Sequence, residues 1–189
     1  MDVRRTADGT WIVFHNKTRR RSDPVPTVSP VFAWCRRHHL PVYLDIKESS
    51  HEKELLILLQ QSGWLGQTTL LAGSVPTLRR WRQLLPHHPL FWVTGYHKSI
   101  TTRRLSIARR MKLHGFVSYR RQISAESVKK VHRAGMKLLV WTARSAREIQ
   151  RLSRLGVDGI MSEVWPQPPD LWARGPQAKK PISPLSGVK

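Results

Sequence analysis

The sequence predicts an α/β chain of repeating β-α units, on the plan of a TIM-type (β/α)8 barrel about one unit short. Three observations carry this. Seven short apolar runs read as strands, one in a hairpin at the start and the others near residues 42, 69, 91, 116, 139 and 159. Between them lie segments with apolar residues at helical spacing, the alternation that builds a parallel sheet covered by helices. No Gly-rich phosphate turn follows the first strand, as a doubly wound nucleotide-binding sheet would require. An eightfold barrel takes about 250 residues, roughly 30 per unit, and this chain has 189.

Taken in order, Met1 to Thr18 (MDVRRTADGTWIVFHNKT) holds two apolar stretches flanking Asp8-Gly9. That is a hairpin signal, because Gly tolerates the positive φ of a tight turn. Asp2 opens the first stretch and His15 closes the second, so the hairpin is expected to bring a carboxylate and an imidazole to one rim. Lys17 to Pro30, with Arg19-Arg20-Arg21 and three prolines, reads as a basic loop. A short helix follows over Val31–His39, then a strand over Pro41–Lys47 (PVYLDIK), whose alternation places Asp45 and Lys47 on one face. Helices are expected over Glu52–Ser62, Pro76–Leu85, Thr101–Leu113, Ser124–Ala134 and Ser145–Leu155. Strands are expected over Thr68–Ala72, Leu90–Thr94, Gly115–Ser118, Lys137–Thr142 and Val157–Met161. Ser124 suits an N-cap, but Ser127 three residues on leaves the capping box incomplete. Residues 1–166 thus form the barrel-like domain, and 167–189 a Pro-rich basic tail.

Composition narrows the function classes. The chain carries 33 Lys and Arg against 12 Asp and Glu, a formal net charge of +21. Such an excess favours anionic partners, whether phosphorylated small molecules, nucleic acid or acidic lipid. A single cysteine, Cys35, excludes an internal disulfide and a multi-cysteine zinc site. No window approaches the roughly 20 apolar residues of a membrane span. A cytoplasmic location is the expectation.

Six landmarks in order resemble the glycerophosphodiester phosphodiesterase family. Asp2 to Gly9 (DVRRTADG) is similar to the end of its E-x-D-V-x-x-T-x-D-G segment, and Ile12 to Asn16 to its V-V-x-H-D. Val25-Pro26-Thr27-Val28 is similar to I-P-T-L, and Leu44-Asp45-Ile46-Lys47 to L-E-I-K. Val140-Trp141-Thr142 matches V-W-T, and Gly156 to Ile160 matches G-V-D-G-I. The resemblance implies a β/α barrel and a metal-dependent phosphoric diester hydrolase of lipid metabolism. Such an enzyme splits a glycerophosphodiester into glycerol phosphate and an alcohol, with a divalent cation (Mg or Ca) and two histidines as acid and base.

Carried over residue by residue, the resemblance implies that His15 is catalytic, Asp2 and Asp45 are metal ligands, and Lys47 and Trp141 bind substrate. The types suit the chemistry. A hard cation takes carboxylate oxygens, an imidazole exchanges protons near neutral pH, and a lysine supplies fixed positive charge to a phosphoryl group. Asn16 replaces the family's Asp, and Asp45 its Glu. The family's H-R-G strand and the Glu of E-x-D have no counterpart in these residues, which is the barrel unit missing from the strand count. Little or no activity is therefore expected of residues 1–189 alone. Two other readings stay open: a basic anion-binding protein using helices such as Thr101–Lys112 on nucleic acid or acidic lipid, and an inactive barrel remnant.

Overall fold

A computed structural model describes residues 1–16 and 25–164. The Arg19-Arg20-Arg21 run and the expected tail over 167–189 lie outside the described residues. The chain divides into two compact units, Met1–Leu90 and a second beginning at Phe91.

In the first unit, β1 (Asp2–Arg5) and β2 (Trp11–Val13) form an antiparallel hairpin that pairs Val3 with Val13 and Arg5 with Trp11. The Thr6 amide donates to the Thr10 carbonyl at 2.9 Å, and Gly9 takes φ of +90° in the turn. Helix α1 (Val28–Arg37) begins three residues before the sequence expectation. Pro30, read there as a breaker, instead sits in the first turn, where a missing N–H costs no hydrogen bond. Strand β3 (Val42–Ile46) then runs parallel to β1. After α2 (Glu52–Gln61), β4 (Thr68–Ala72) runs parallel to β3, and α3 (Val75–Leu84) follows. Phe32 stacks on Trp64 at 5.2 Å between centroids, and with Trp81, Leu44, Leu55, Leu59 and Leu78 they form a buried core.

Strand β5 (Leu90–Val93) begins at the last residue of the first unit, and the sequence of the second unit then alternates strictly. Helices α4 (Thr102–Arg110), α5 (Ala125–Arg133) and α6 (Ala146–Leu155) alternate with β6 (Gly115–Tyr119), β7 (Lys137–Ala143) and β8 (Gly159–Ser162). The four strands pair in parallel in chain order. Each helix starts on a hydroxyl N-cap, Thr101, Ser124 or Ser145, whose side chain accepts from the backbone three residues on. The capping box at α5 is complete, contrary to expectation: the Ser127 hydroxyl accepts from the Ser124 amide at 2.9 Å, as a Glu or Gln would. Strand β8 begins two residues later than expected. Asp158, just before it, accepts from the Leu138 amide at 2.8 Å and holds His132 at 2.8 Å, which fixes the turn into β8.

Gly115 faces Lys137 across the β6–β7 pair so closely that a Cβ would meet the Lys137 carbonyl oxygen at 1.9 Å. Only backbone movement relieves that clash. Gly115→Ala should cost about 3 kcal/mol through overpacking, read as a lowered urea midpoint. Gly66→Ala, whose Cβ meets nothing within 4 Å, should stay within about 0.5 kcal/mol. Equal midpoints for the two variants would contradict the close approach.

Candidate active site

Four of the five residues singled out in the sequence meet in the first unit. Residue 2 of β1 is the direct neighbour of residue 45 of β3 in the parallel register. Neighbouring strands lie about 4.8 Å apart, and side chains at paired positions project from the same sheet face. Two carboxylates therefore stand side by side. Lys47, two residues past Asp45 and on the same face, bridges them: its Nζ donates to Asp45 Oδ2 at 2.6 Å and to Asp2 Oδ1 at 3.0 Å. The hairpin returns His15 to the same rim, with Nδ1 2.9 Å from Asp2 Oδ2. Asp2 thus divides its two oxygens between an ammonium and an imidazole.

Burial and charge split the two carboxylates. Burial pushes Asp2 upward, but hydrogen bonds from Lys47 and His15 outweigh it and hold the group below the ordinary carboxylate range. Asp45 is more enclosed, and there burial prevails over the pull of Lys47, with help from the Asp2 charge, so its value rises. Burial alone would lower Lys47; the two aspartates overcome that and raise it, so the ammonium stays charged. His15 has a side chain 71% exposed, open to a ligand from solvent.

Sequence reasoning missed Arg4. Its guanidinium donates to the His15 carbonyl from Nε at 3.1 Å and from Nη2 at 3.0 Å, and pairs with Glu48 at 2.8 Å. Arg4 thereby fixes the backbone that carries the imidazole. The signal was available, since Arg4 is two residues from Asp2 and shares its face of β1.

Trp141 belongs to the second unit and joins two rings that the sequence reading did not connect with it. Its centroid lies 4.8 Å from that of Tyr96 and 5.3 Å from that of Tyr119. The indole Nε1 is buried with no hydrogen-bond partner. Tyr96, about half exposed, presents an aromatic surface beside it.

Among the described residues, no three His, Cys, Asp or Glu side chains converge as a metal-binding group. Asp2 and Asp45 are two, and they already share one cationic group. A divalent cation of the kind that keeps several waters and takes one or two carboxylates plus substrate phosphate oxygens fits that donor set.

Replacing Lys47 by Met removes the charge between the two carboxylates. In the native chain, the depressed Asp2 contributes stability that is present above its unfolded value and lost as pH falls through the lowered one. The raised Asp45 contributes in the opposite sense, costing stability once ionised above its folded value. Without Lys47 both carboxylates are harder to ionise, so the deficit of Lys47→Met is greatest near pH 7. We expect about 1–2 kcal/mol there, after allowance for partial exposure, shrinking as pH drops below 4 and both groups protonate. Urea unfolding across this range measures it; a pH-independent deficit would rule out the bridging role.

The glycerophosphoryl diester phosphodiesterase family model matches residues 16–164, which include Asp45 and Lys47 and begin just after His15. No curated protein sequence matches. Among solved structures, a candidate glycerophosphodiester phosphodiesterase from Galdieria sulphuraria is 18% identical, with 85% of this chain and 79% of that one covered and a TM-score of 0.75. A phosphodiesterase from Oleispira antarctica, in complex with the product sn-glycerol-3-phosphate, is 17% identical over 85% and 78% of the two chains, with a TM-score of 0.73. A glycerophosphodiester phosphodiesterase from Parabacteroides distasonis is 15% identical over 86% and 77%, at 0.72. These likenesses establish the α/β fold of the barrel class that the strand count predicted. With the family model spanning most of its length, the chain belongs to the glycerophosphoryl diester phosphodiesterase family.

Proposed function

We propose that the Asp2–His15–Asp45–Lys47 cluster binds a glycerophosphodiester through its phosphate and serves its hydrolysis to glycerol phosphate and an alcohol. The observation that carries the reading is the single ammonium shared by two adjacent carboxylates, with an exposed imidazole on one of them. Family membership supports it, as does the glycerol phosphate held by the Oleispira protein.

Asp2 and Asp45 would hold a divalent cation, whose charge offsets that building on the phosphoryl oxygens. Lys47 offers a second, fixed positive charge to the same group. Because Asp2 stays ionised, it accepts from His15 Nδ1–H and fixes the tautomer, leaving Nε2 for proton exchange with the ligand. As the attacking water forms its P–O bond and the bond to the alcohol breaks, a protonated His15 gives its proton to the leaving alkoxide and is restored by the proton that the water sheds. Arg4 positions this imidazole through the backbone. Within the second unit, Trp141 with Tyr96 and Tyr119 forms an aromatic surface suited to an apolar group of a ligand.

The first observable is binding of sn-glycerol 3-phosphate to the full chain by calorimetry, with and without Mg or Ca. Cation-dependent binding is expected, weakened about tenfold or more by Lys47→Met, in keeping with a lost charge-assisted contact. Release of glycerol phosphate from a glycerophosphodiester reads turnover, expected to fall by about 10²–10⁴ in His15→Ala. Cation-independent binding, or turnover indifferent to His15, would overturn the assignment.

A further inference from the structure

The positive charge is distributed unevenly between the two units. Among the described residues, the first unit carries 9 Lys and Arg against 6 Asp and Glu, whereas residues 91–164 carry 16 against 4. Three of those four acids are engaged in ion pairs: Glu148 with Arg120, Asp158 with His132 and Glu163 with Arg144. Among the described residues of the unit, Glu126 is the one acid outside an ion pair.

Six of the remaining cations stand on the outward faces of three helices. Helix α4 buries Leu105 and Ala108, α5 Val128 and Val131, and α6 Ile149 and Leu152. Opposite these stripes stand Arg103 and Arg110 on α4, Lys129 and Arg133 on α5, and Arg147 and Arg154 on α6, all exposed. Their spacings of seven, four and seven residues keep each pair on one helix face. The strands β5, β6, β7 and β8 pair in parallel in chain order, and right-handed crossovers stepping in one direction put all three helices on one face of their sheet. The six side chains thus form one basic field, broad in two dimensions.

Helix stability accounts for only half of this charge: Arg110, Arg133 and Arg154 lie in the last turns of their helices, where the macrodipole favours cations. Arg103 and Arg147 lie in the first turns of their helices, where the macrodipole favours acids and disfavours cations. None of the six takes part in an ion pair among the described residues.

We propose that the outer face of α4, α5 and α6 docks on an anionic lipid bilayer. Charge complementarity selects an anionic partner, and the form of the field selects a surface. Single-stranded nucleic acid is held by aromatic rings interleaved with cations, and these three helices carry no Phe, Tyr or Trp. Duplex readers insert one helix or ribbon into a groove, whereas here the cations spread across the flanks of three adjacent helices. A bilayer rich in acidic head groups presents a matching flat sheet of charge and draws basic side chains within a Debye length. Docking is electrostatic and reversible, with no helix among the described residues long and apolar enough to cross the membrane. The inference stands independently of the catalytic reading.

Vesicle sedimentation with the full chain tests it. The chain should pellet with phosphatidylcholine vesicles containing about a third phosphatidylglycerol, but not with phosphatidylcholine alone, and should release as salt rises. The triple variant Arg103→Gln, Lys129→Gln, Arg147→Gln removes one cation from each helix, two of them from dipole-disfavoured sites, and should keep its thermal midpoint. Its partition onto acidic vesicles should fall at least about tenfold. The matched triple Arg37→Gln, Lys53→Gln, Arg79→Gln removes three exposed cations from the first unit and should change partition by about twofold at most. If the first triple unfolds, its three single variants report the same loss in smaller steps. Equal losses in both triples would mean diffuse charge and overturn the docking face. So would no binding to acidic vesicles, or tighter retention on a duplex or single-stranded oligonucleotide than on vesicles at the same salt.

Discussion

Two like charges at strand spacing are the constraint around which the first unit is arranged. Unit charges about 4.8 Å apart repel by roughly 3–4 kcal/mol at an effective dielectric of 20, and the β1–β3 register places Asp2 and Asp45 in that relation. The strand pairing survives because the ammonium of Lys47 lies between them, delivered by the same strand that supplies Asp45. Alternation makes this possible: residues 45 and 47 face the same way, with Ile46 turned into the core between them. Once Lys47 neutralises the pair, Asp2 has an oxygen to spare, and that oxygen orients His15. Arg4 and the tight turn at Gly9 then serve one end, holding the imidazole where that oxygen lies.

Features set by neighbouring residues were legible in the sequence. Asp8-Gly9 between apolar runs announced the hairpin, and the hairpin announced that Asp2 and His15 share a rim. The i, i+2 spacing of Asp45 and Lys47 foretold their pairing. The alternation of strand and helix, read with the ordered motifs, gave the fold class.

What was not legible depended on contacts distant in sequence or on a residue acting outside its usual type. Nothing near residue 2 indicates that its neighbour will be residue 45, because parallel register is settled by a crossover of some forty residues. Arg4 looks like a solvated surface cation until the fold supplies the His15 carbonyl. Pro30 looks like a boundary unless its place in the first helical turn is known, and Ser127 completes a cap that Glu or Gln usually closes. Tyr96 and Tyr119 are 45 and 22 residues from Trp141 in sequence, so only the strand order of the second unit gathers them.

The basic field on the second unit shows how little the fold constrains such a face. Each helix there is secured by two buried apolar residues and a hydroxyl N-cap, and those few positions satisfy the helix whatever the outward side chains are. Exposed charges change stability by fractions of a kcal/mol apiece, so a β/α scaffold can acquire a dozen cations without altering its core. The Asp2–Asp45–Lys47 cluster obeys the opposite rule. There two partly enclosed carboxylates require one specific ammonium, and a cation placed anywhere else on the surface, screened beyond about 8 Å at physiological salt, cannot replace it. Net charge is therefore nearly free of the fold, while one lysine is tied to it by the register of two strands.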